Sequence, residues 1–277
     1  MYSEYDIRMK KDYEIRGRMA LTRRVPVIIR VDGKNFSTFC KRFEKPYDVF
    51  LNGSLNAVMH HLCSNIQGAK FAERHSDEIS ILVTDYDSIQ TDAFFDYDTQ
   101  KIASLTASMA TAEFCRRLMA YSHQPEPTDL HNQDSGNYNK KYLDWVEKWP
   151  SFDSRCFNIP ESEIANYFWW RMLDAKRGSI NMTAQANFSH KSLQGLSCDQ
   201  MQEKLWQEKD INWAKLPQGQ KIGFTCRKVS AFREIPEGPM KGQTVKRKVW
   251  EIEESPSQKS ELDSVLDKIK LIKEESK

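Results

Sequence analysis

The sequence has no C-x-x-C pair, no histidine at zinc-finger spacing from a cysteine pair, and no apolar run approaching membrane-spanning length. Its six cysteines, at 40, 63, 115, 156, 198 and 226, therefore read as reduced, mostly buried thiols rather than a disulfide frame or a zinc site. The opening MYSEYDIRMKK lacks the apolar segment of a secretory leader, so the expectation is a soluble, cytoplasmic protein. A large charge of one sign is missing too. Net charge is +2 with 29% charged residues, which argues against a histone-like coat on nucleic acid and leaves room only for local patches. No internal repeat points to a solenoid.

What is present suffices for a real core. The chain has 277 residues, 11% of them aromatic, enough for one large domain or a core with appendages. One basic patch occurs at 8–24, where Arg8, Lys10, Lys11, Arg16, Arg18, Arg23 and Arg24 outnumber Asp12 and Glu14. It reads as a solvated helix face or a phosphate-contacting surface.

Periodicity predicts a strand over 25–31, a helix over 48–66 stopped at Gly68, and two short strands at 70–73 and 79–85 joined by a tight hairpin. A second helix over 99–120, a polar insertion at 122–141 and a strand at 154–160 follow. That order, β-α-β-β-α-β, describes an α+β, ferredoxin-like sheet with helices on one face. Beyond it come helices at 164–172, 179–190 and 199–208, then β-rich pieces at 221–228 and 244–252. A polar linker leads to an amphipathic tail helix carrying Leu262, Val265, Leu266, Ile269 and Ile272, capped from Ser260 and Asp263. The tail suits docking or assembly rather than chemistry. The expected organisation is a catalytic core over 1–160, a helical and β-rich part of the same unit over 161–254, and the linker with its tail helix over 255–277.

The chemistry-bearing stretch is RVPVIIRVDGKNFSTF, where an apolar strand ends on Asp32-Gly33. Three readings compete: a simple turn, a covalent nucleotidyltransferase with a K-x-D-G lysine, and a metal-held nucleotide site with Asp32 as ligand. In a β-α-β-β-α-β sheet the first and third strands are central antiparallel neighbours. Asp32, at the end of one, then lies beside Ser76-Asp77-Glu78, at the start of the other. Two adjacent carboxylates repel and favour a cation between them. Oxygen-only donors point to magnesium, and a pair of such ions is the usual device for nucleotidyl transfer. Arg30 counts against the covalent reading, because a guanidinium stays protonated and cannot act as the nucleophile. It suits a triphosphate clamp instead, with Lys45 and Lys101 as further candidates for neutralising phosphate.

The motifs IIRVDGKNFSTF, FEKPYD, RHSDEISILV, FDSR and DAKRGSINMTAQANFSHKSLQG together resemble the tRNA(His) guanylyltransferase family. The likeness is greater to its bacterial and archaeal branch, the guanylyltransferase-like proteins, over roughly residues 20–120 and 150–230. The resemblance implies a polymerase-palm-like core and 3′-to-5′ nucleotide addition at a tRNA 5′ end, with ATP, GTP and other nucleoside triphosphates as substrates. It makes Asp32, Asp77 and the Gly33 carbonyl the ligands of two Mg2+ ions, with Glu78 as a supporting acidic neighbour. It assigns Arg30 and Lys45, and with them Lys101, to triphosphate binding. The backbone amides of Gly33, Lys34, Asn35, Phe36 and Ser37, with Ser76, would hold phosphates. A homo-oligomer, a dimer of dimers, is implied as well. Where the eukaryotic members carry H-I-N-N-L-Y-N, this chain has Ser179-Ile180-Asn181-Met182-Thr183-Ala184-Gln185, without the leading histidine. That departure favours templated repair of 5′-truncated tRNA. The alternatives are a strict guanylyltransferase adding one G and, from another class, a non-catalytic tRNA-binding protein.

Overall fold

Alternation of Val27, Ile29 and Val31 with Ile28, Arg30 and Asp32 gives β1 (Val27–Gly33) one wholly apolar face and one that turns polar toward its end. The computed structural model describes residues 3–122, 150–234, 237 and 241–269. Strand β1 pairs antiparallel with β3 (Glu78–Val83) on one side and β4 (Phe152–Asn158) on the other. Strand β2 (Ala69–His75) reaches β3 through the two residues Ser76 and Asp77, and its outer edge pairs with β5 (Phe224–Glu234). Strand β6 (Thr244–Glu254) closes the order β4-β1-β3-β2-β5-β6, and every pair is antiparallel. The β-rich C-terminal pieces are thus one long hairpin that extends the central sheet.

Helices cover both faces, not one as expected. Helix α1 (Glu4–Met9) is exposed, and the single turn α2 (Phe36–Phe39) follows β1. Helices α3 (Val49–Asn65) and α4 (Thr99–Ser122) pack Leu55, Val58, Met59, Leu62, Ile102 and Phe114 against Val27, Ile29, Ile79 and Ile81. The opposite face is covered by α5 (Ile164–Asn187), whose Ile164, Phe168 and Met172 meet Ile28, Phe71 and Leu82. The reason is visible in β3, which is buried at all six positions; a strand buried on both faces is a continuous apolar run and needs two layers of cover.

Helix α5 is also continuous where two helices were expected. An interior glycine such as Gly178 costs a helix about 1 kcal/mol, less than the anchoring by Phe168, Met172, Ala175, Ile180 and Ala184 on either side of it. The short α6 (His190–Leu193), α7 (Cys198–Lys209) and the short α8 (Gln218–Lys221) complete this side, where Ile180, Ala184, Leu193, Met201, Leu205 and Trp213 form a satellite core.

The tail helix α9 (Lys259–Lys268) docks on the chain's own sheet. Leu262 is fully buried against the Ile28–Phe71–Phe168 cluster, with Val265, Leu266 and Ile269 beside it. Its start is fixed by Glu261, whose carboxylate accepts from the Ser257 and Gln258 amides, rather than by Ser260 or Asp263. Ile272 lies outside the described residues. Truncating Leu262 to alanine should cost about 2–5 kcal/mol, read as a lower midpoint in denaturant. An unchanged midpoint would mean the helix contributes nothing by docking there.

The basic run at 8–24 is not a uniform solvated face. Arg18 pairs with Asp98 at 2.6 Å and Arg23 with the buried Asp85 at 2.6 Å, pinning the N-terminal segment to the sheet. The insertion at 122–141 falls, beyond Ser122, outside the described residues. Among the described residues no helix is long and apolar enough to cross a membrane.

Candidate functional site

Three rows of side chains cross the α5 face of the sheet, and each row is more polar than the one before. Ile28, Leu82 and Phe71 form the first, and Arg30, Ser80 and Glu73 the second. Glu78 and His75 pair in the third, where Asp32 continues β1 beyond the Val31–Ile79 pair. The period of two in each strand therefore turns one end of an apolar face into a charged edge.

Asp32 and Asp77 meet at that edge, as the topology predicted. Gly33 separates them by very little. A Cβ added there would lie 2.6 Å from Asp77 Oδ2 and would overlap the Phe36 ring, so only glycine lets the carboxylate settle against the strand. Ser76 donates its hydroxyl proton to Asp77 Oδ1 at 2.9 Å and takes up the left-handed conformation (φ 48°) the tight turn needs. Burial holds the Asp77 carboxyl above the usual range, and the neighbouring Asp32 charge pushes it the same way. Arg155 approaches Asp32 only to 4.0 Å and is bound at 2.9 Å to Asp153, the residue opposite Asp32 in β4. Negative charge at this edge is thus left for a cation to balance. The two carboxylates and the Gly33 carbonyl are hard oxygen donors that fit magnesium. Among the described residues no cluster of three or more acidic, histidine or cysteine side chains forms a ready cage, so the protein's share of a site here is this pair with backbone oxygen.

Beside Asp77 opens a cavity of about 530 Å³. Phe36, Phe43, Lys45 and Tyr47 line one side, and Arg177 with Gly178 of α5 the other. Apolar walls interspersed with charged groups such as Lys45 and Arg177 match what a nucleoside with a phosphate tail requires. Cys40 lines it too, its thiol pushed up to about 12 by burial and the Asp77 charge, so it stays a protonated thiol. The amides of Phe36 and Ser37 open the α2 turn, where a helix has no carbonyl of its own to offer them. Lys34 differs: its amide donates to the Ser151 carbonyl at 2.8 Å and is not available to a phosphate.

The remaining expectations separate. Lys45 lies on the cavity wall. Arg30 gives one guanidinium edge to Glu78, leaving other donors of its five. Lys101 is elsewhere. It sits in the first turn of α4, near the end of β4, where Cys156 donates to Thr99, while Thr111 of the same helix accepts from Phe152 beside the Asp32–Asp153 pair. Ten helical residues, about 15 Å, divide the two places, so Lys101 does not belong to this site. Glu78 is buried and held between Arg30 and Arg171. Sequence reasoning missed Arg171 and Arg177 because each looked like one more charge on a helix, and missed Asp153 although FDSR had been noticed.

Comparison with known proteins finds relatives of this chain. The family model described as tRNAHis guanylyltransferase (Thg1) matches residues 7–160. A bacterial tRNA(His) guanylyltransferase-like protein solved in complex with ATP is 37% identical, with a TM-score of 0.77 over 96% of this chain and 98% of its own. A structure of such a bacterial protein in complex with GTP is 34% identical, with a TM-score of 0.74 over 98% of this chain and 100% of its own. The tRNA(His) guanylyltransferase of Saccharomyces cerevisiae is 26% identical over 211 residues, 71% of this chain and 80% of the yeast protein.

Proposed function

The chain belongs to the tRNAHis guanylyltransferase (Thg1) family, and from that premise we propose that it is a magnesium-dependent nucleotidyltransferase that repairs 5′-truncated tRNA by templated 3′-to-5′ addition. The observation that carries the reading is the Asp77 carboxylate seated against Gly33, beside Asp32 and at the mouth of a nucleotide-sized cavity. The core strands would form a palm-like catalytic unit over 1–160, completed by 161–254 and braced by the docked tail over 255–277. The working assembly would be a homo-oligomer, a dimer of dimers, in the cytoplasm.

Two transfers are required. The 5′-phosphate of the tRNA attacks the α-phosphorus of ATP and pyrophosphate leaves, giving an adenylylated 5′ end. The 3′-hydroxyl of an incoming nucleoside triphosphate then attacks that activated phosphate and AMP leaves. Magnesium held by Asp32, Asp77 and the Gly33 carbonyl would lower the hydroxyl pKa and offset charge on the phosphoryl oxygens. The protein's own residues orient the reactants. Lys45 and the spare donors of Arg30 face triphosphate oxygens, the Phe36 and Ser37 amides and Ser76 hold a phosphate, and the cavity walls cover the base. Base choice falls to Watson–Crick pairing with the 3′ strand of the acceptor stem, so the protein reads shape and phosphate.

Supplied with ATP, all four nucleoside triphosphates and a tRNA lacking its first nucleotide, the purified protein should restore the missing 5′ residue. No extension under those conditions would overturn the proposal. Lys45→Ala and Arg30→Ala should raise the triphosphate KM while leaving tRNA affinity nearly unchanged. One charged phosphate contact is worth on the order of 1.5–3 kcal/mol, about ten- to a hundredfold. A collapse of tRNA binding with normal triphosphate dependence would remove both residues from the role.

A further inference from the structure

The turn that carries Asp77 is gripped by two buried arginines, one from each face of the sheet. On the α5 side Arg171, its side chain 4% exposed, donates from Nη2 to Glu78 Oε2 at 2.8 Å, with Nε 2.6 Å from Oε1. Its Nη2 also lies 3.1 Å from Asp174 and 3.4 Å from His75 Nε2, and its guanidinium stacks 4.5 Å from the Trp170 ring. On the α3 side Arg74, 1% exposed, donates from Nη1 to the Ser76 carbonyl at 2.7 Å. Its other donors reach Asn56 at 2.8 Å and Asn52 at 3.3 Å, both on α3. Ser76, Asp77 and Glu78 are consecutive, so Asp77, bonded only locally, lies between two residues held by distant elements.

We propose that Arg171 and Arg74 are positioning residues for the transfer: by fixing Glu78 and Ser76 they set where the Asp77 carboxylate stands against Gly33 and Asp32. The inference rests on the magnesium reading above and adds two residues, Arg171 from α5 and Arg74 from β2, the latter also on the cavity wall. Stability alone is a poor reason for either. Burying a guanidinium costs so much desolvation that apolar residues of similar volume are often equally stabilising or better. Apolar packing is available to the fold on this face, since Ile28, Leu82 and Phe71 with Phe168 fill it two rows away. What an apolar residue cannot supply is direction. A hydrogen bond from Nη2 to Oε2, with Nε in ionic contact with Oε1, ties Glu78 to α5 at both oxygens, and with it the position of its neighbour. Glu78 is thereby a hub rather than a reacting group: Arg30, on the strand of Asp32, shares its Oε2 with Arg171. The strand carrying one carboxylate and the turn carrying the other are referenced to a single buried anion.

The test is Mn2+ binding, followed by electron paramagnetic resonance on the full chain without nucleotide or tRNA, for wild type, Arg171→Met, Arg171→Lys, Arg74→Met and Leu262→Ala. Arg171→Met and Arg74→Met should each weaken Mn2+ binding at the site by about tenfold or more. Both should raise by a similar factor the magnesium concentration giving half-maximal addition, and Arg171→Met should do so with little change in triphosphate KM. Arg171→Lys, which keeps the charge and loses the fork, should fall between wild type and Arg171→Met. Leu262→Ala lowers stability from the same side of the sheet without touching the turn, and its Mn2+ affinity should stay at the wild-type value. Wild-type Mn2+ affinity in folded Arg171→Met and Arg74→Met, or in Arg171→Lys should the methionine variants not fold, would overturn the proposal. Equal weakening in Leu262→Ala would reduce it to general destabilisation and overturn it as well. Wild-type protein that binds no Mn2+, or Mn2+ binding that survives Asp32→Ala combined with Asp77→Ala, would instead sink the magnesium reading itself.

Discussion

Asp77→Ala and Asp32→Ala should each abolish both adenylylation of the 5′ end and nucleotide addition, while the protein stays folded. Both transfers pass through the same edge, so a single lost carboxylate is felt twice. The fold should tolerate the change because neither side chain is used to build it. Asp77 is bound by Ser76 alone, and Asp32 has only a distant Arg155. Asp77→Ala also removes a carboxylate whose ionisation burial and Asp32 already oppose, so it relieves repulsion, and thermal stability should hold or rise slightly. Adenylylation surviving near the wild-type rate in either variant would contradict the shared-site assignment.

The second large effect concerns which nucleotide is added. Changing the template base opposite the vacant 5′ position from C to A should switch the product from G to U. A mismatch forfeits stacking and pairing worth a few kcal/mol, enough for tens- to thousands-fold discrimination at about 1.4 kcal/mol per tenfold. At the position where eukaryotic relatives would place a histidine, Ser179 is buried, accepts from Trp213 Nε1 at 3.2 Å and donates to the Lys176 carbonyl at 3.0 Å. Its one donor is spent inside the fold, so it cannot donate a hydrogen bond to an RNA base. Addition of G on all four templates would mean that the protein selects the base, and the strict guanylyltransferase reading would replace this one.

Much of this site was legible in the sequence because it depends on strand order. Once β1 and β3 are neighbours and antiparallel, Asp32 and Asp77 must converge, and no side-chain detail is needed. What the sequence hid depends on contacts between distant segments. Arg171 meets Glu78 across 93 positions, and on its own helix it is only one more arginine. Arg74 falls between Glu73 and His75 in what reads as the hairpin turn after a strand at 70–73, yet it is enclosed by Asn52 and Asn56 of α3. The second layer of helices could have been inferred from the unbroken burial of β3, had its both-sided apolar pattern been weighed against the ferredoxin-like expectation. Lys101 went astray for another reason. Family likeness carries a position along the chain, and only the fold says that this position lies at the far end of α4.

The most direct measurement follows one label. Protein is incubated with 5′-monophosphorylated, truncated tRNA and ATP labelled at the α-phosphate, without an incoming nucleotide, and then chased with the complementary triphosphate. The label should move first to the RNA 5′ end, survive removal of the protein, and leave as AMP when the chase extends the tRNA by one residue. Label fixed on the protein itself would mean a covalent lysine intermediate of the K-x-D-G kind, and label that never reaches the RNA would mean no activation step at all. Either result contradicts the account.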